Sequence, residues 1–567
     1  MFDAAGCRHL KFVLLCALLL PALPAGAQQP PDAGTLLRQQ PPSPQAVPAK
    51  PPAIKPAPPS ATPDDSGPRI LVKGFRVRGN TLIAEAELIA QMRELVGQER
   101  SLGQLQNAAL VLIGYYAQKG YLARVFLPPQ NIKDGVVEYQ VIEGLRGSLK
   151  IDNKGERVDV ARVQRFVEER LAAGAVMDLA ALGEVLGILN EQPGLQVTAS
   201  LAPGKGDRDV DIAIAAADQP LVSANLGAST QGPRGTGALQ LSGSATLNNP
   251  TGRFDALSLL ANRSQGSTFV RADYGLAVGD RGLRVGANVS ALRYHLVQAD
   301  FVALNARGEA DTVGLTASYP LAQRTVFNLR LIGSLDQKRL VDRTVAGETG
   351  NRRVRAANVG LSGYSISAEG PLSGVLSFGA GVVTGVADQR NAAALAADQA
   401  GRQTQGGFLK ATWNAGLLRA LDQSWTFNAT VRGQFAAKNL DSSERLSLGG
   451  PSGVRAYPAG EAAGDAGWVG SVGLQRPLGD QWTLGGFLDA GGIQVNHRQP
   501  AAGAAARNSY ELAGAALTAN WRPVAQTTLN FILATPLGSN PGAQANGNNS
   551  DGSRRASRLW IALTSLF

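Results

Sequence analysis

The feature that most restricts this chain is a two-residue alternation of polar and apolar side chains between residues 218 and 567. From Leu283 to Ala291, for example, the odd positions are apolar or small, whereas Arg284, Asn288 and Ser290 occupy even ones. Successive side chains of a β-strand point to opposite faces, so such a segment predicts a strand with one apolar and one wet face. Sustained over 350 residues, the pattern predicts a transmembrane antiparallel β-barrel and is too long for a soluble β-sandwich.

Composition favours a membrane β-protein over a soluble enzyme. Charged residues make up 17% of the chain, and 67 glycines are many for a globular enzyme. No stretch after residue 27 reaches the ~20 consecutive apolar residues that a spanning helix requires. Since only helices and closed barrels satisfy all backbone hydrogen-bonding groups in lipid, a membrane protein with this sequence would be a β-barrel surrounded by lipid.

The residues present exclude several kinds of site. The net charge is +10, but the basic residues form no concentrated block, so nucleic acid is not an expected partner. Both cysteines, Cys7 and Cys16, lie near the N-terminus, and only His295 and His497 follow residue 27. The nucleophile elbow, the phosphate-binding loop and the zinc-protease motif are missing from the sequence. We therefore expect no catalytic residues, no metal, no cofactor and no enzymatic activity.

The first 68 residues contain two segments without a core. Residues 1–27 are a predicted secretory signal, with basic residues before an apolar run and Ala25-Gly-Ala27 as the cleavage pattern. Residues 28–68 hold 13 of the 31 prolines, which predicts a polyproline linker. Within this linker only Asp32–Gln40 could form a short helix.

Two consecutive segments, residues 69–145 and 146–217, each predict the element order β-α-α-β-β. In the first, Leu105, Leu112 and Tyr116 share one helix face, and the helix ends at a basic turn followed by Gly120. The second repeats the order within a similar length. The sequence therefore predicts two small α+β domains ahead of the barrel domain, residues 218–567.

One irregular loop, residues 446–468, lies between predicted barrel strands. Eight of its 23 residues are glycine or proline, yet it contains Val454-Arg455-Ala456-Tyr457. In the following strand, Leu484 and Leu488 are expected to face lipid. The two-residue period then places Phe487, Asp489 and Gly491 together on the lumen face.

These features resemble the two-partner secretion transporters of the outer membrane, the TpsB family of FhaC, ShlB and HecB. The two repeats resemble their POTRA domains, and the first carries the family's Phe75-x-Val-x-Gly-Asn80 opening. The loop core resembles the usual Val-Arg-Gly-Tyr motif, with Ala456 replacing the glycine. Phe487, Asp489 and Gly491 match the family's Phe-x-Asp-x-Gly strand motif. The terminal Phe567 resembles the signal that the barrel-assembly machinery recognises.

The resemblance implies a mainly β protein with a 16-stranded barrel, although 14 or 18 strands fit the length nearly as well. It also implies a latch in which Arg455 contacts Asp489 while Val454 and Tyr457 pack the loop against the inner wall. In a wet lumen such a pair would stabilise by only about 1 kcal/mol. The short helix near Asp32 would be a removable plug. Residues 341–355 and 392–406 are expected to be outer loops.

The implied function is secretion. The POTRA domains, in the periplasm of a Gram-negative bacterium, would capture an unfolded TpsA-like exoprotein, and the barrel in the cell outer membrane would conduct it without ATP. The exoprotein could be an adhesin, a haemolysin or a haem-binding protein. Two alternatives are an assembly insertase of the same superfamily and, from another class, a passive porin. The two POTRA-like repeats and the proline-rich linker favour secretion.

Overall fold

The computed structural model describes residues 30–41, 54–55, 69–132, 134–367, 369–370, 372–500, 507–554 and 556–567. The predicted signal, residues 1–27, and most of the predicted linker lie outside these ranges. The described N-terminal elements are helix α1 (Ala33–Arg38) and strand β1 (Ile54–Lys55). Among the described residues, no helix is both long and apolar enough to cross a membrane.

Residues 69–143 form a small α+β domain. Its elements are β2 (Arg69–Leu71), β3 (Gly74–Arg78), α2 (Glu85–Ala90), a 3-10 helix (Arg93–Leu95), β4 (Glu99–Ser101), α3 (Leu102–Gln118), β5 (Ala123–Phe126) and β6 (Val136–Glu143). Helix α3 begins at a capping box, in which the side chains of Ser101 and Gln104 each accept a bond from the other's backbone N–H. Its residues Leu105, Leu112 and Tyr116 are fully buried, so α3 supplies much of the domain's core.

A second domain repeats this topology. Its elements are β7 (Leu145–Asn153), α4 (Val160–Glu168), α5 (Leu179–Asn190), β8 (Leu195–Pro203) and β9 (Asp209–Asp218). In both domains the first strand of the sheet pairs in parallel with the last strand, which pairs antiparallel with the strand before it. Strand β1, from the linker, adds in parallel to the edge of β8, with Ile54 opposite Ala199.

The remaining strands run from residue 222 to residue 566. In chain order they are β10 (Val222–Ser229), β11 (Gln240–Asn248), β12 (Ala256–Ser264), β13 (Ser267–Val278), β14 (Leu283–His295), β15 (Arg307–Arg324), β16 (Phe327–Thr344), β17 (Gly347–Ser367), β18 (Gly374–Gln389), β19 (Gly406–Ala420), β20 (Thr426–Ala436), β21 (Leu446–Ser447), β22 (Ala463–Gly464), β23 (Ala466–Leu478), β24 (Trp482–Gln494), β25 (Ser509–Val524), β26 (Thr527–Leu537) and β27 (Arg558–Leu566). The short helices between them are α6 (Ala299–Val302), α7 (Ala392–Ala400) and 3-10 helices at Arg234–Thr236 and Ser442–Glu444.

Sixteen of these strands close into one antiparallel barrel, and β21 and β22 pair only with each other. The barrel closes where β27 pairs with β10, and the backbone of Phe567 exchanges two hydrogen bonds with Ala224, at 2.8 and 3.1 Å. Val289 and Val313 project outward and are 53% and 57% exposed, whereas the polar residue Asn288, next to Val289 in β14, is buried inside. The predicted fold, a 16-stranded barrel behind α+β domains, is confirmed.

Residues 341–355 are not the outer loop that the sequence predicts. Strands β16 and β17 run through them and turn only at Val345–Ala346. The alternation is hidden here because both faces are polar: Asp342 and Arg352 point inward, while Arg343 and Arg353 point outward. Residues 392–405 do lie outside the barrel strands, and α7 forms within them, whereas residue 406 begins β19.

The second domain contacts one end of the barrel. The guanidinium of Arg162 in α4 donates to the carbonyl oxygen of Ala277 at 2.8 Å, and Arg284 of β14 donates to Gln192 at 2.9 Å. We call this end the domain end and the opposite end the far end. Because the strands alternate in direction, the loop between β20 and β23 leaves the wall at the far end.

Candidate functional site in the barrel lumen

The loop between β20 and β23 folds back into the lumen. The pairing of β21 with β22 closes its base, where Leu446 lies opposite Gly464. Leu448, Val454 and Tyr457 are fully buried and form one apolar cluster with side chains of the inner wall. The burial of these apolar side chains favours the folded-in position, since each contributes roughly 1.5–3 kcal/mol when removed from water.

Arg455 and Asp489 lie in direct contact. The Arg455 Nη1 atom is 2.5 Å from Asp489 Oδ1, and the Arg455 backbone N–H donates to Asp489 Oδ2 at 3.0 Å. The guanidinium also donates to Ser471 Oγ at 3.1 Å and stacks over the Phe487 ring at 4.4 Å. On the other side of the loop, Trp560 of β27 donates to the Arg455 carbonyl oxygen at 2.8 Å. The arginine therefore joins the loop to three separate strands of the wall.

The contact is largely shielded from solvent. The side chain of Asp489 is fully buried, and that of Arg455 is 16% exposed. Removing one member of a buried pair leaves an uncompensated charge, which costs about 3–5 kcal/mol. Burial removes the solvent screening on which the expected net stabilisation of about 1 kcal/mol was based, and the cost of removing a single partner is a separate and larger quantity.

Small residues let the loop lie close to the wall. A Cβ atom placed on Gly491 would lie 2.8 Å from the carbonyl oxygen of Trp468 and 3.0 Å from the Leu448 side chain. A Cβ on Gly514 would lie 2.8 Å from the Ala456 methyl group. Ala456 itself is outside the set of residues with positive φ, so alanine fills this position without backbone strain.

Helix α1 lies inside the far half of the barrel. Asp32 caps it by accepting from the Thr35 N–H at 2.9 Å, and Leu36 is buried against inward-facing side chains of the wall. The Ala33 N–H donates to Asp342 of β16 at 2.8 Å. Near the end of the helix, Arg38 donates to the carbonyl oxygen of Arg445 in the folded-in loop, also at 2.8 Å.

Arg352 of β17 is the centre of the contacts that hold α1. Its guanidinium lies 2.5 Å from Asp32, 2.9 Å from Asp342 and 2.6 Å from Asp441, and its side chain is 8% exposed. The three carboxylates come from the N-terminal helix, the wall and the loop. One buried cation thus connects all three parts of the lumen.

A second buried cluster joins the loop to the wall. Glu444 lies 2.5 Å from Lys338 of β16 and 2.9 Å from Lys410 of β19. Burial alone would raise the pKa of Glu444, but the two lysines outweigh it and lower this pKa to about 2. The carboxylate is therefore ionised at neutral pH and holds the start of the loop against two strands.

The end of the loop is held by two further carboxylates. Asp465, whose side chain is fully buried, lies 3.3 Å from Arg445 and 3.3 Å from Arg402. Glu461 accepts from Asn540 at 2.9 Å and from the Ser550 N–H at 2.8 Å, both in the outer loop that follows β26. Among the described residues, no group of three or more His, Cys, Asp or Glu side chains is placed to hold a metal ion.

The structure brings the sequence-predicted loop and strand residues together, and it places Phe567 elsewhere, at barrel closure on the domain end. The Arg352 cluster and the Glu444 cluster are not predicted by the sequence patterns. The partners of Arg352 lie up to 320 residues away, so no local pattern joins them. The one sequence feature that could have indicated the cluster is the two-residue period of β17, which places the Arg352 side chain on the lumen face.

Comparisons with known proteins agree with this architecture. A family model described as haemolysin secretion/activation protein ShlB/FhaC/HecB matches residues 209–520, and a POTRA domain model of the ShlB type matches residues 70–144. The heme/hemopexin transporter protein HuxB of Haemophilus influenzae is 26% identical over 474 residues, which are 82% of each chain.

Two solved structures share the fold. CdiB from Escherichia coli superimposes with a TM-score of 0.66 at 20% identity, over 90% of this chain and 92% of its own. BamA from Haemophilus ducreyi, lacking its POTRA domains 1–3, gives a TM-score of 0.51 at 15% identity, over 88% of this chain and 100% of its own.

Proposed function

Because this chain belongs to the ShlB/FhaC/HecB family of haemolysin secretion/activation proteins, and is thus a two-partner secretion transporter of the outer membrane, we propose that it exports one unfolded TpsA-like exoprotein through its barrel without ATP. The observation that carries this proposal is the lumen itself. It contains a loop and a helix that are held in place by buried, noncovalent ion pairs. A lumen of this kind could be emptied for a passing chain.

The two α+β domains are proposed to capture the exoprotein in the periplasm. Both have mixed sheets, and an extended polypeptide can add to the edge of such a sheet by backbone hydrogen bonds. Strand β1 already occupies the β8 edge in this way, which supports the idea that this edge accepts extended chain. Barrel-assembly machinery is the proposed partner during biogenesis, through the strand that ends at Phe567.

We propose that Arg455 and Asp489 fix the loop for transport. The test uses cells that co-express the exoprotein and measures the amount secreted. Arg455→Ala and Asp489→Ala should each reduce secretion severalfold, while the barrel still inserts and remains heat-resistant on gels. Arg476→Ala, an arginine on the outer wall of β23 that stacks on Trp425, is the matched control and should secrete normally.

The double variant separates seating of the loop from barrel stability. Without both partners no lone buried charge remains, so Arg455→Ala/Asp489→Ala should be more stable than either single variant yet still secrete poorly. Full secretion by all three variants would refute the role of the pair. Loss of many outer-membrane proteins when the gene is deleted, in place of one secreted protein, would favour an insertase.

The N-terminal helix is the proposed plug. Deleting residues 28–45 should raise the conductance of the purified protein in planar bilayers, because α1 fills part of the lumen next to Arg352. An unchanged conductance would contradict the plug role without bearing on secretion itself.

A further inference from the structure

The outer wall of the barrel carries a band of arginines near the far end. The alternation of β12, β14, β15, β16 and β17 turns these side chains away from the lumen. The arginine band consists of Arg263, Arg293, Arg307, Arg339, Arg343, Arg353 and Arg355. Since these strands belong to a membrane barrel, the band faces the surroundings of the protein and not the path of an exported chain.

Two pairs of these arginines lie directly opposite each other on neighbouring strands. In the register of β15 and β16, Arg307 is opposite Arg343, and in that of β16 and β17, Arg339 is opposite Arg353. Like charges in directly opposite positions destabilise a sheet. Anions that lie between or above the cations relieve this repulsion.

The acidic residues nearby neutralise only part of this charge. Asp311 lies 2.7 Å from Arg293, and Glu309 lies 3.3 Å from Arg339 and 3.6 Å from Arg343. Within the described part of the chain, the other four arginines of the band form no ion pair with a carboxylate. Two more carboxylates lie nearby: Glu348 at the tip of the β16–β17 hairpin, and Asp388, which is opposite Arg353 in β18 and pairs with Arg390. The band then has seven arginines and four carboxylates.

The band stands directly above an apolar surface. On the same strands, toward the domain end, Val289, Val313 and Leu335 project outward and are 53%, 57% and 58% exposed. Arg293 follows Val289 by four residues in β14, about 14 Å along the strand. A ligand that combines anionic groups with acyl chains would therefore meet both surfaces at once.

The charge belongs to one side of the barrel. At the far ends of β19, β20 and β23, the outward positions are occupied by Leu409, Phe435 and Trp468, which are 49%, 62% and 41% exposed. If every outer-membrane barrel needed cations at this depth of the membrane, arginines would be expected all around the wall. Their restriction to β12–β17 indicates a localised site.

A shallow depression of about 370 Å³ lies within the band, lined in part by Arg263, Arg293, His295, Arg307, Glu309 and Arg343. From β12 to β17 the band extends across five strand spacings, about 24 Å. One phosphate contacts only the arginines within a few ångströms of it. A headgroup with two separated phosphates fits this width better.

We propose that the arginine band binds a phosphorylated, multiply acylated glycolipid of the outer leaflet, of which lipid A is the representative. Its phosphates would lie between the opposed arginines, with bidentate contacts from the guanidinium groups. Its acyl chains would cover the valines and leucines below. The domain end faces the periplasm in the proposed function, so the far end meets the outer leaflet.

The test measures binding of lipid A to the delipidated full-length protein in detergent micelles by native mass spectrometry. The variant is Arg307→Gln/Arg353→Gln, which removes one arginine from each opposed pair. Binding should weaken by about 10-fold or more, since each arginine near an anionic lipid surface contributes severalfold. The melting temperature of the lipid-free barrel should stay constant or rise, because like-charge repulsion is relieved.

The control is Arg419→Gln/Arg476→Gln, two arginines of the barrel domain at the domain ends of β19 and β23, and it should bind lipid A like the wild type. Dephosphorylated lipid A should bind at least 10-fold more weakly than the phosphorylated form. The proposal is overturned if the variant binds normally, if phosphatidylglycerol binds as tightly as lipid A, or if millimolar inorganic phosphate displaces lipid A completely. None of these results depends on secretion.

Discussion

Substitution of Asp32 by asparagine would isolate the charge that holds α1 in the lumen. The aspartate accepts from Arg352 at 2.5 Å, from Ser442 Oγ at 2.6 Å and from the Thr35 N–H at 2.9 Å. Asparagine caps helices as well as aspartate does, so Asp32→Asn keeps the cap and removes the ion pair. Arg352 retains Asp342 and Asp441, so no buried cation is left without a partner.

The expected effect follows from the loss of one charge-assisted bond. Such bonds contribute about 1.5–3 kcal/mol, so the ratio of plugged to unplugged barrels should fall by about 10- to 150-fold. Asp32→Ala also removes the cap, which costs roughly another 1 kcal/mol. The open fraction should therefore rise in the order wild type, Asp32→Asn, Asp32→Ala.

Planar-bilayer recordings measure this order directly as the fraction of time at the high-conductance level. Asp422→Asn, in the exposed turn between β19 and β20, is the control and should behave as the wild type. A role of the Asp32 charge in holding α1 is refuted if Asp32→Asn opens no more often than the wild type while deletion of residues 28–45 opens the pore. That result would mean that apolar burial of Leu36, and not charge, retains the helix.

Three further outcomes follow from buried groups. Because the folded pKa of Glu444 is about 2, its stabilising contribution is complete above its ordinary value near 4.5 and is lost as the pH falls toward 2, so conductance should rise as the pH falls below about 4.5. Gly491→Ala places a methyl group against Trp468, costs about 1–3 kcal/mol and should expose the loop to protease. Glu143→Gln weakens bonds from Thr81, Leu82 and Tyr116 and should lower the melting temperature of residues 69–218 by roughly 5 °C in circular dichroism.

The barrel was predictable because its physical cause is local. A strand with one face in lipid and one in water must alternate apolar and polar side chains, so β14 and its neighbours can be predicted from a single sequence. The same period places Asp489 and Phe487 on one face. The two-residue period does not predict how deeply a side chain is buried. Asp489 is fully buried because the loop covers it, and the position of the loop depends on contacts between distant segments.

The helix anchor, meaning the ion pairs of Arg352 that hold α1, was not predicted from the sequence for a related reason. Around Arg352, both faces of β17 carry charge, so the segment looks like a polar loop. The inward arginine finds its carboxylates on α1, on β16 and in the folded-in loop, while its neighbour Arg353 lies on the outer wall. The alternation can be recognised only where one face of the strand is apolar and the other polar, and around Arg352 both faces are polar.

The unequal lengths of the strands give the barrel a slanted mouth. Strands β16 and β17 have 18 and 21 residues, about 60 and 70 Å along the strand, whereas β10 and β27 have 8 and 9 residues, about 30 Å. The helix anchor at Arg352 lies on the tall side. A polypeptide that emerged past Arg352 would have the tall wall on one flank. On the other flank it would meet the short rim of β27 and β10 and the loop that follows β26, which is bound to Glu461 of the folded-in loop.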